Sequence, residues 1–309
     1  MNTPLNHQWN TSVLFIFVDG VGMGEESKDN PFFSAHLPTF VRLFGSIPTL
    51  QNPELRGKES LLIPIAATLG IPGLPLSGTG QATLLTGVNC SEVHRSHFGP
   101  YPPSTVRPLL NEKSLFRLLG NRELPTEFVN AYPQRYFDYY DAHPAMMAAF
   151  ASAFLSAGKP LHRVEEIESG TALSADITGS RWQEMGYAGI PSLTPREAGI
   201  NLAAITKANA FTSFEYFLTD KAGHKQNMSD AIDALQRLDG MLGGALEALD
   251  TTRALIIITS DHGNVENLAT PSHTRNPVPL IAIGAGHEQF AECRSLMDVA
   301  PTIVGMFPE

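Results

Sequence analysis

The 309-residue sequence predicts an α/β fold with a mainly parallel central sheet and helices on both of its faces. Two observations predict this fold. Short apolar runs typical of buried strands recur along the chain, and stretches with helical spacing of apolar residues separate them. Because neighbouring parallel strands need a long crossover connection, usually a helix, this alternation is typical of a parallel sheet.

The first strand is predicted at residues 13–18, whose sequence VLFIFV is β-branched and aromatic. It stops at the turn sequence DGVGMG, and we expect it in the middle of the sheet. A polar, proline-punctuated stretch follows to about residue 75. Residues 76–89 (LSGTGQATLLTGVN) then form a Gly-rich turn that leads into a predicted helix.

The middle of the chain predicts a mixture of loop, helix and strand. Residues 98–108 contain too many prolines for a regular element and are expected at the rim of an active site. A helix is predicted at 114–121, a strand at 126–133 and an Ala- and Met-rich helix at 145–158. We expect one domain over 1–309, with at most a small cap or insert at about 135–200.

Regular helices and strands can again be predicted in the C-terminal third of the sequence. A helix is predicted to begin at Pro195, and the sequence FEYFLTD (214–220) is the next strand. Ser229 is a candidate N-cap for a long amphipathic helix, and ALIIIT (254–259) is the strand that follows it.

The composition limits the classes of binding partner and the cellular location that we expect. The formal net charge is -10 and the sequence has no cluster of Lys or Arg, so binding to a nucleic acid duplex is not expected. No apolar run approaches the ~20 residues of a membrane helix, and no secretory signal is visible. Only Cys90 and Cys293 are present, which predicts a reducing, cytoplasmic location without a disulfide framework. The oligomeric state stays open.

Three acidic residues follow predicted strands. VLFIFV ends at Asp19, FEYFLT at Asp220 and LIIITS at Asp261. Because ligands bind at the carboxyl edge of parallel strands, these residues are expected to lie close together. Three crowded carboxylates repel one another unless a cation neutralises them.

Histidines accompany these acids. His224 lies four residues after Asp220, His262 is adjacent to Asp261, and His273 follows in a Pro-rich loop. Any one of these residues alone would more often be a turn or cap residue, but their joint placement favours a metal site. Carboxylate and imidazole ligands without thiolates suit Zn or Mn, and their number predicts two divalent ions.

The LSGTGQAT segment offers a nucleophile. Ser77 and Thr79 lie just before a predicted helix, whose N-terminus favours an anion. A hydroxyl bound to a divalent ion loses its proton more easily than a free one. Either hydroxyl could instead be a helix N-cap.

These segments resemble a known superfamily. TSDHGNVEN with HTRNPVPLI is similar to the metal-binding part of cofactor-independent phosphoglycerate mutases, and DKAGH matches their Asp-x-x-Gly-His pattern. With VDGVG, the motifs resemble the alkaline phosphatase superfamily, which includes phosphopentomutases and nucleotide pyrophosphatase/phosphodiesterases. The resemblance is strong over 211–284, clear near 13–24 and 74–99, and faint between.

The resemblance implies a metal site whose ligands can be matched one by one to residues of this sequence. Asp220, His224 and His273 would hold one ion, and the other would be held by a second set: Asp19, Asp261, His262 and the nucleophile. Ser77 is preferred over Thr79 as that nucleophile. In the mutase-like and phosphodiesterase-like branches a His commonly stands four residues after the nucleophile, where this chain has Gln81.

The expected reaction is hydrolysis of a phosphate mono- or diester of a small molecule, through a phosphoryl-Ser intermediate. Substrate contacts are proposed for four residues: Gln81, Arg275, Asn264 and Lys221. A phosphoglycerate mutase-like or phosphopentomutase-like phosphomutase is the alternative. A dinucleotide-binding protein is a remote alternative, suggested because the Gly-rich DGVGMG follows a predicted strand. The G-x-G-x-x-G spacing of dinucleotide-binding turns is not met, which counts against it.

Overall fold

A single seven-stranded sheet forms the centre of the molecule in the computed structural model, which describes residues 9–307. The strands are β1 (Ser12–Val18), β2 (Leu55–Arg56), β3 (Ser60–Ile65), β4 (Thr126–Phe128), β5 (Phe211–Tyr216), β6 (Ala254–Thr259) and β7 (Val278–Gly284). Their order across the sheet is β2-β3-β7-β6-β1-β5-β4. β4, β5, β1 and β6 pair in parallel, whereas β7, β3 and β2 each pair antiparallel to their neighbours.

Helices cover both faces of this sheet. They are α1 (Pro38–Phe44), α2 (Ser77–Thr86), α3 (Cys90–His94), α4 (Arg107–Lys113), α5 (Leu115–Gly120), α6 (Gln134–Ala142), α7 (Ala149–Ser156), α8 (Val164–Glu168), α9 (Ser180–Glu184), α10 (Pro195–Lys207), α11 (Leu218–His224), α12 (Met228–Ala248) and α13 (Val299–Gly305). Short 3-10 turns lie at Pro31–Phe33, Pro144–Met146, His287–Phe290 and Leu296–Asp298. Within residues 9–307, no helix combines the length and apolar character that crossing a bilayer requires.

The sheet separates two hydrophobic cores, one on each face, and the buried central strand β1 contributes side chains to both. Its side chains alternate between the faces of the sheet, so Phe15 and Phe17 enter one core and Leu14 and Ile16 the other. The first core is closed by helices that include α2, α5, α7 and α13, and the second by α10 and α12. A strand buried on both faces is apolar throughout, which is why VLFIFV shows no polar alternation.

The α/β prediction with a mainly parallel sheet is confirmed, although the sheet is not purely parallel. Three strands were not predicted: β2, β3 and β7. Both β3 and β7 contain proline, which favours a loop in a sequence pattern, yet Pro64 lies opposite Pro279 in their antiparallel pair. Antiparallel pairing on this side of the sheet therefore depends on contacts that the local sequence does not signal.

Several element boundaries differ from the prediction. The strand predicted to run to Asp220 ends at Tyr216, and Asp220 lies in α11 instead. The strand predicted over 126–133 is limited to Thr126–Phe128. The N-cap of α12 is Asn227 rather than Ser229, because the Asn227 side chain accepts a hydrogen bond from the Asp230 N–H.

Residues 135–200, the predicted cap, divide between two environments. Helix α7 belongs to the main core, where Phe150 stacks on Phe17 with 4.8 Å between ring centroids. A separate small cluster contains Ile167, Trp182 and Ile190. Assignment of a cap within a single 1–309 domain stays a prediction.

Candidate metal centre

The acidic and imidazole residues converge at one edge of the sheet. Asp19 follows the last residue of β1, and Asp261 and His262 follow β6, its parallel neighbour. Asp220 and His224 lie on α11, which begins two residues after β5, the other neighbour of β1. The topology therefore gathers residues about 240 positions apart at the carboxyl ends of three adjacent strands, where α/β folds bind ligands.

Asp220, His224 and His273 form the first cluster. One Asp220 carboxylate oxygen is 3.3 Å from His224 Nε2 and the other is 3.7 Å from His273 Nε2. The two imidazole Nε2 atoms are 3.1 Å apart. One ligand atom from each of these three residues lies within 4.8 Å of the others, which is compatible with a shared ion.

The tautomers of these imidazoles favour a cation between them. His224 Nδ1 is 2.8 Å from the Pro271 carbonyl and His273 Nδ1 is 2.7 Å from the Pro75 carbonyl. A carbonyl oxygen only accepts, so each Nδ1 carries the proton and donates it. In the neutral rings, both Nε2 atoms then present lone pairs to each other, an arrangement that a bound cation would stabilise.

Asp19, Asp261 and His262 form the second cluster, next to Ser77. His262 Nε2 is 3.3 Å from an Asp19 oxygen and 3.6 Å from an Asp261 oxygen. The same nitrogen is 3.0 Å from Ser77 Oγ. Asp220 is near this group too, since one oxygen of Asp220 lies within 4.8 Å of ligand atoms from Asp19 and His262. The two clusters are therefore contiguous.

In the second cluster, the negative charge of the buried carboxylates is not balanced by a neighbouring positive side chain from residues 9–307. Burial, together with the charges of Asp261 and Asp220, raises the pKa of Asp19 well above its usual value. Burial and the charge of Asp220 raise the pKa of Asp261 to about 7. Burial and the neighbouring His273 lower the pKa of His262 to about 3, which keeps this imidazole neutral. A neutral imidazole and crowded carboxylates are the state that a divalent ion needs.

Buried polar atoms without hydrogen-bond partners support the same conclusion. Among the described residues, neither Asp261 oxygen, nor Asp19 Oδ1, nor His262 Nδ1 has a hydrogen-bond partner. Such atoms are costly to bury unless something else satisfies them. With nitrogen and oxygen donors alone and no thiolate, these residues fit Zn or Mn.

Ser77 is positioned at the head of a helix that abuts this cluster. It is the first residue of α2, and its half-buried hydroxyl faces His262. Gly80 on the same helix packs against Asp261 so closely that an added Cβ would lie 3.0 Å from the Asp261 Cβ. Helix α2 therefore presents both the Ser77 hydroxyl and its N-terminal partial positive charge to the cluster.

Thr79, the alternative nucleophile, points elsewhere. Its side chain is fully buried and accepts a 3.2 Å hydrogen bond from the Phe98 N–H. Its own hydroxyl lies near the carbonyls of Leu76 and Phe98, at 3.4 and 3.5 Å. In this position Thr79 holds the 98–101 loop against α2, and the geometry favours Ser77.

The four residues predicted to contact substrate have different surroundings. Gln81 Nε2 donates to Asp19 at 3.2 Å, and Asn264 Nδ2 donates to Asp220 at 2.8 Å, so both amides orient carboxylates of the clusters. Arg275 is exposed and donates to the Gly73 carbonyl. Lys221 lies over the Phe217 ring in a cleft between α9, α11 and α12, on a different face of α11 from Asp220. The structure thus brings Gln81 and Asn264 to the clusters, but not Lys221.

Two buried acids near the site were missed from the sequence. Glu215 lies in β5, where burial and the charge of Asp261 raise its pKa to about 8. Glu266 is 2% exposed and accepts hydrogen bonds from several loops. Glu215 could have been identified from the sequence, because it is an acid inside the apolar FEYF run of a predicted strand. For Glu266 the only indication was its place in the DHGNVE segment.

The turn after β1 does not suit a dinucleotide pyrophosphate. The Val21 N–H donates to Ser260 Oγ at 2.8 Å, the Gly22 N–H to Glu266 at 3.0 Å and the Met23 N–H to the Pro277 carbonyl at 2.8 Å. Backbone amides that bind phosphate in Gly-rich turns are thus already engaged here. This argues against the remote dinucleotide-binding alternative.

Comparisons with known proteins find a matching family model and similar enzymes. Residues 196–308 match the family model of the Metalloenzyme superfamily. A 2,3-bisphosphoglycerate-independent phosphoglycerate mutase of Thiobacillus denitrificans is 38% identical over 98 residues, covering 29% of this chain and 19% of the relative. The sequence match therefore spans about a fifth of that enzyme's length.

Solved structures are similar over nearly the whole fold. The alkaline phosphatase of the Antarctic bacterium TAB5 is similar with a TM-score of 0.58 and 15% identity, covering 98% of this chain and 100% of that one. A phosphoglycerate mutase of Leishmania mexicana is similar with a TM-score of 0.50 and 12% identity, covering 99% and 97%. Residues 196–308 therefore resemble the Metalloenzyme superfamily in sequence, and the fold of the chain is similar to that of the alkaline phosphatases.

Proposed function

We propose that this protein is a two-metal phosphoryl-transfer enzyme that hydrolyses a phosphate mono- or diester of a small molecule. The observation that carries the proposal is the position of Ser77 Oγ, 3.0 Å from His262 Nε2 at the head of α2. A hydroxyl placed at a helix N-terminus, beside two clusters of metal-ligand type, is suited to attack phosphorus. Zn and Mn are the proposed ions.

The residues that would hold the ions are those of the two clusters. Asp220, His224 and His273 form one set, and Asp19, Asp261, His262 and Ser77 form the other. When bound, two divalent ions would lower the pKa of the Ser77 hydroxyl and neutralise charge on the transferring phosphoryl group. Gln81 and Asn264 hold Asp19 and Asp220 in place for this purpose.

The chain's own groups then account for the steps. Ser77 Oγ loses its proton to solvent and forms a bond to phosphorus as the ester P–O bond breaks, and the alcohol leaves with a proton taken from solvent. The N-terminus of α2 favours the anionic phosphoryl group bound to Ser77. Water then breaks the Oγ–P bond and restores the serine, releasing phosphate if the substrate was a monoester and a phosphate monoester if it was a diester.

A phosphomutase is the second candidate, because the similar Thiobacillus denitrificans protein carries that name. In that reaction, an oxygen of the same substrate would replace water as the acceptor. Between Ser77 and β5, the helices α3, α4, α5 and α7 contribute to the first core and α10 contributes to the second. This leaves α6, α8 and α9 as the segments that could retain a dephosphorylated intermediate. Because so few segments could hold the intermediate until it is rephosphorylated, hydrolysis is the favoured reaction.

The test is a panel of phosphate mono- and diesters assayed with Mn or Zn, comparing wild type with Ser77→Ala. We expect wild type to release phosphate from a monoester or an alcohol and a phosphate monoester from a diester, and Ser77→Ala to lose at least about 10³-fold in kcat, as expected for a missing nucleophile. Mass spectrometry after acid quench should detect phosphoserine at Ser77 in wild type alone. Metal content should stay at two ions per chain in the variant.

Thr79→Ala is the matched control, because it removes a hydroxyl two residues away on the same helix. It should keep the phosphoenzyme and lose stability through the Phe98 contact. Loss of the phosphoenzyme in Thr79→Ala but not in Ser77→Ala would transfer the nucleophile role to Thr79. Isomerisation of a sugar phosphate or phosphoglycerate without free phosphate would replace hydrolase by mutase.

A further inference from the structure

Glu266 joins the loops that carry the candidate metal ligands. The residue is 2% exposed and lies in the segment that follows β6. Oε2 accepts from the Gly22 N–H at 3.0 Å and from the Asn264 N–H at 2.7 Å. Oε1 accepts from the Thr274 hydroxyl and from Asn276 Nδ2, the latter at 3.1 Å. One side chain thus connects three separate segments.

Each segment has a candidate ligand within a few residues of the donor. Gly22 is three residues after Asp19, and Thr274 immediately follows His273. Asn264 follows His262 by two residues, and its side-chain amide donates to Asp220 at 2.8 Å. The carboxylate therefore links residues from both metal clusters, although it lies in neither.

The backbone around Glu266 leaves room only for this side chain. An added Cβ at Gly22 would lie 2.3 Å from Glu266 Oε1, and one at Gly263 would lie at the same distance from that atom. These glycines belong to the VDGVG and DHGN segments. A side chain at Gly22 would collide with Glu266, and one at Gly263 would collide with both Glu266 and the Thr274 hydroxyl, which lies 2.2 Å from the added Cβ.

Three backbone hydrogen bonds also join these segments. The Thr274 N–H donates to the Gly263 carbonyl at 2.9 Å, the Val265 N–H to the Gly20 carbonyl at 2.9 Å and the Met23 N–H to the Pro277 carbonyl at 2.8 Å. His273 lies in a segment that is mostly loop, so its distance from His262 depends on such ties. The rings of His262 and His273 stack with 3.7 Å between centroids.

From this geometry we infer that Glu266 is a positioning residue that sets the spacing of the two metal clusters. It acts through the ligand-bearing loops and does not itself contact an ion. The inference rests on the proposed metal centre, but not on the reaction proposed for it. Residues around metal ligands commonly affect metal affinity by 10- to 100-fold.

The test compares wild type, Glu266→Ala and Glu266→Gln by calorimetric titration with Mn²⁺ or Zn²⁺ alone. Glu266→Ala should raise the metal Kd by about 10- to 100-fold. Glu266→Gln should give an intermediate Kd, since its amide oxygen can still accept from the Gly22 and Asn264 N–H groups. The visible spectrum of the Co²⁺-loaded protein should change in Glu266→Ala, because ligand geometry changes.

Asp176→Ala is the matched control. Asp176 is also a buried carboxylate that organises a turn, accepting from Ser174, Gly179, Ser180 and Arg181. None of these partners adjoins a candidate ligand. Its substitution should lower the metal-free Tm while leaving the metal Kd and the Co²⁺ spectrum as in wild type.

The outcomes separate the inference from the proposed function. A wild type that binds two ions, with an unchanged Kd in Glu266→Ala, would overturn the positioning role alone. A wild type that binds no divalent ion would overturn the metal centre and the inference together. If Glu266→Ala does not fold, Thr274→Val removes the hydroxyl that donates to Glu266 and accepts from the Asn276 N–H, and unchanged binding of both ions in that variant would equally overturn the inference.

Discussion

At the scale of single residues, burial controls protonation around the candidate centre. Glu215 lies in β5 with a 6% exposed side chain, beside the tyrosines of α6 and the cluster around Asp261. Burial, followed by the charge of Asp261, raises the pKa of Glu215 from 4.5 to about 8. A carboxyl group with this pKa is protonated at neutral pH in the metal-free protein.

Glu215 should make the metal-free protein less stable as pH rises. Its folded pKa lies above its unfolded value, so the folded state binds more protons between about pH 4.5 and 8. The stabilising contribution is complete below that window and is lost as pH rises through it. Glu215→Gln should therefore lose less free energy of unfolding between pH 5 and 9 than wild type, by on the order of a few kcal/mol.

Denaturant unfolding in EDTA at a series of pH values would measure this difference. Glu247→Gln is the control, because it removes an exposed carboxylate on α12 that pairs with Arg196, outside the apolar core. Parallel profiles for wild type and Glu215→Gln would contradict the assignment of a raised pKa to Glu215.

At the scale of elements, α2 and the 98–101 loop form one unit beside the metal clusters. The Thr79 N–H donates to the Phe98 carbonyl at 2.9 Å, and the Phe98 N–H donates back to the Thr79 hydroxyl at 3.2 Å. Gly78 lies directly beneath the loop. An added Cβ there would be 2.1 Å from the Tyr101 carbonyl oxygen, far inside van der Waals contact.

Gly78→Ala should displace the 98–101 loop from the first turn of α2. We expect a loss of about 1–3 kcal/mol in the free energy of unfolding, as for other overpacked positions. Because Ser77 is adjacent, kcat should also fall. Thermal unfolding and the phosphate-release assay would measure the two effects.

Gly120→Ala is the control for this substitution. Gly120 ends α5, and an added Cβ there would meet nothing within 4 Å. Alanine is the better helix former, so this variant should be neutral or more stable by up to about 1 kcal/mol. Equal stability of Gly78→Ala and wild type would contradict the packing described for the loop.

At the scale of the whole molecule, metal binding should join segments that are distant in sequence. The candidate ligands come from the ends of β1 and β6, from α11, from the loop before β7 and from the start of α2. An ion that binds only the folded state stabilises it in proportion to RT ln(1 + [L]/Kd). Such an ion also restrains several loops simultaneously.

Adding Zn²⁺ or Mn²⁺ to the chelator-treated protein should therefore raise its Tm. At an ion concentration of 100 times Kd, the expected gain is about 2.7 kcal/mol per site. Asp261→Asn should lose most of this gain, whereas Asp250→Asn, in the exposed turn before β6, should retain it. A Tm that does not respond to any divalent ion would argue against the metal centre.

Much of the architecture was predictable because local patterns signal it. The apolar runs of β1 and β6 predicted buried parallel strands, and both strands are present. Strand β5 was also predicted, although it ends four residues before Asp220. Strands β3 and β7 were not, since each contains a proline and depends on its antiparallel partner.

The sequence by itself determined which residue types are expected at the carboxyl edge of the sheet, because the candidate ligands other than His273 adjoin a strand or a helical turn that the pattern predicts. Only the tertiary structure decided the direction of side chains, as for Thr79, which turns towards the 98–101 loop, and Lys221, which lies over Phe217. It also decided the role of Glu266, whose carboxylate joins Gly22, 244 residues away in sequence, to Thr274. Hydrogen bonds over such separations leave no periodic signal, because their partners become neighbours only once the sheet has formed.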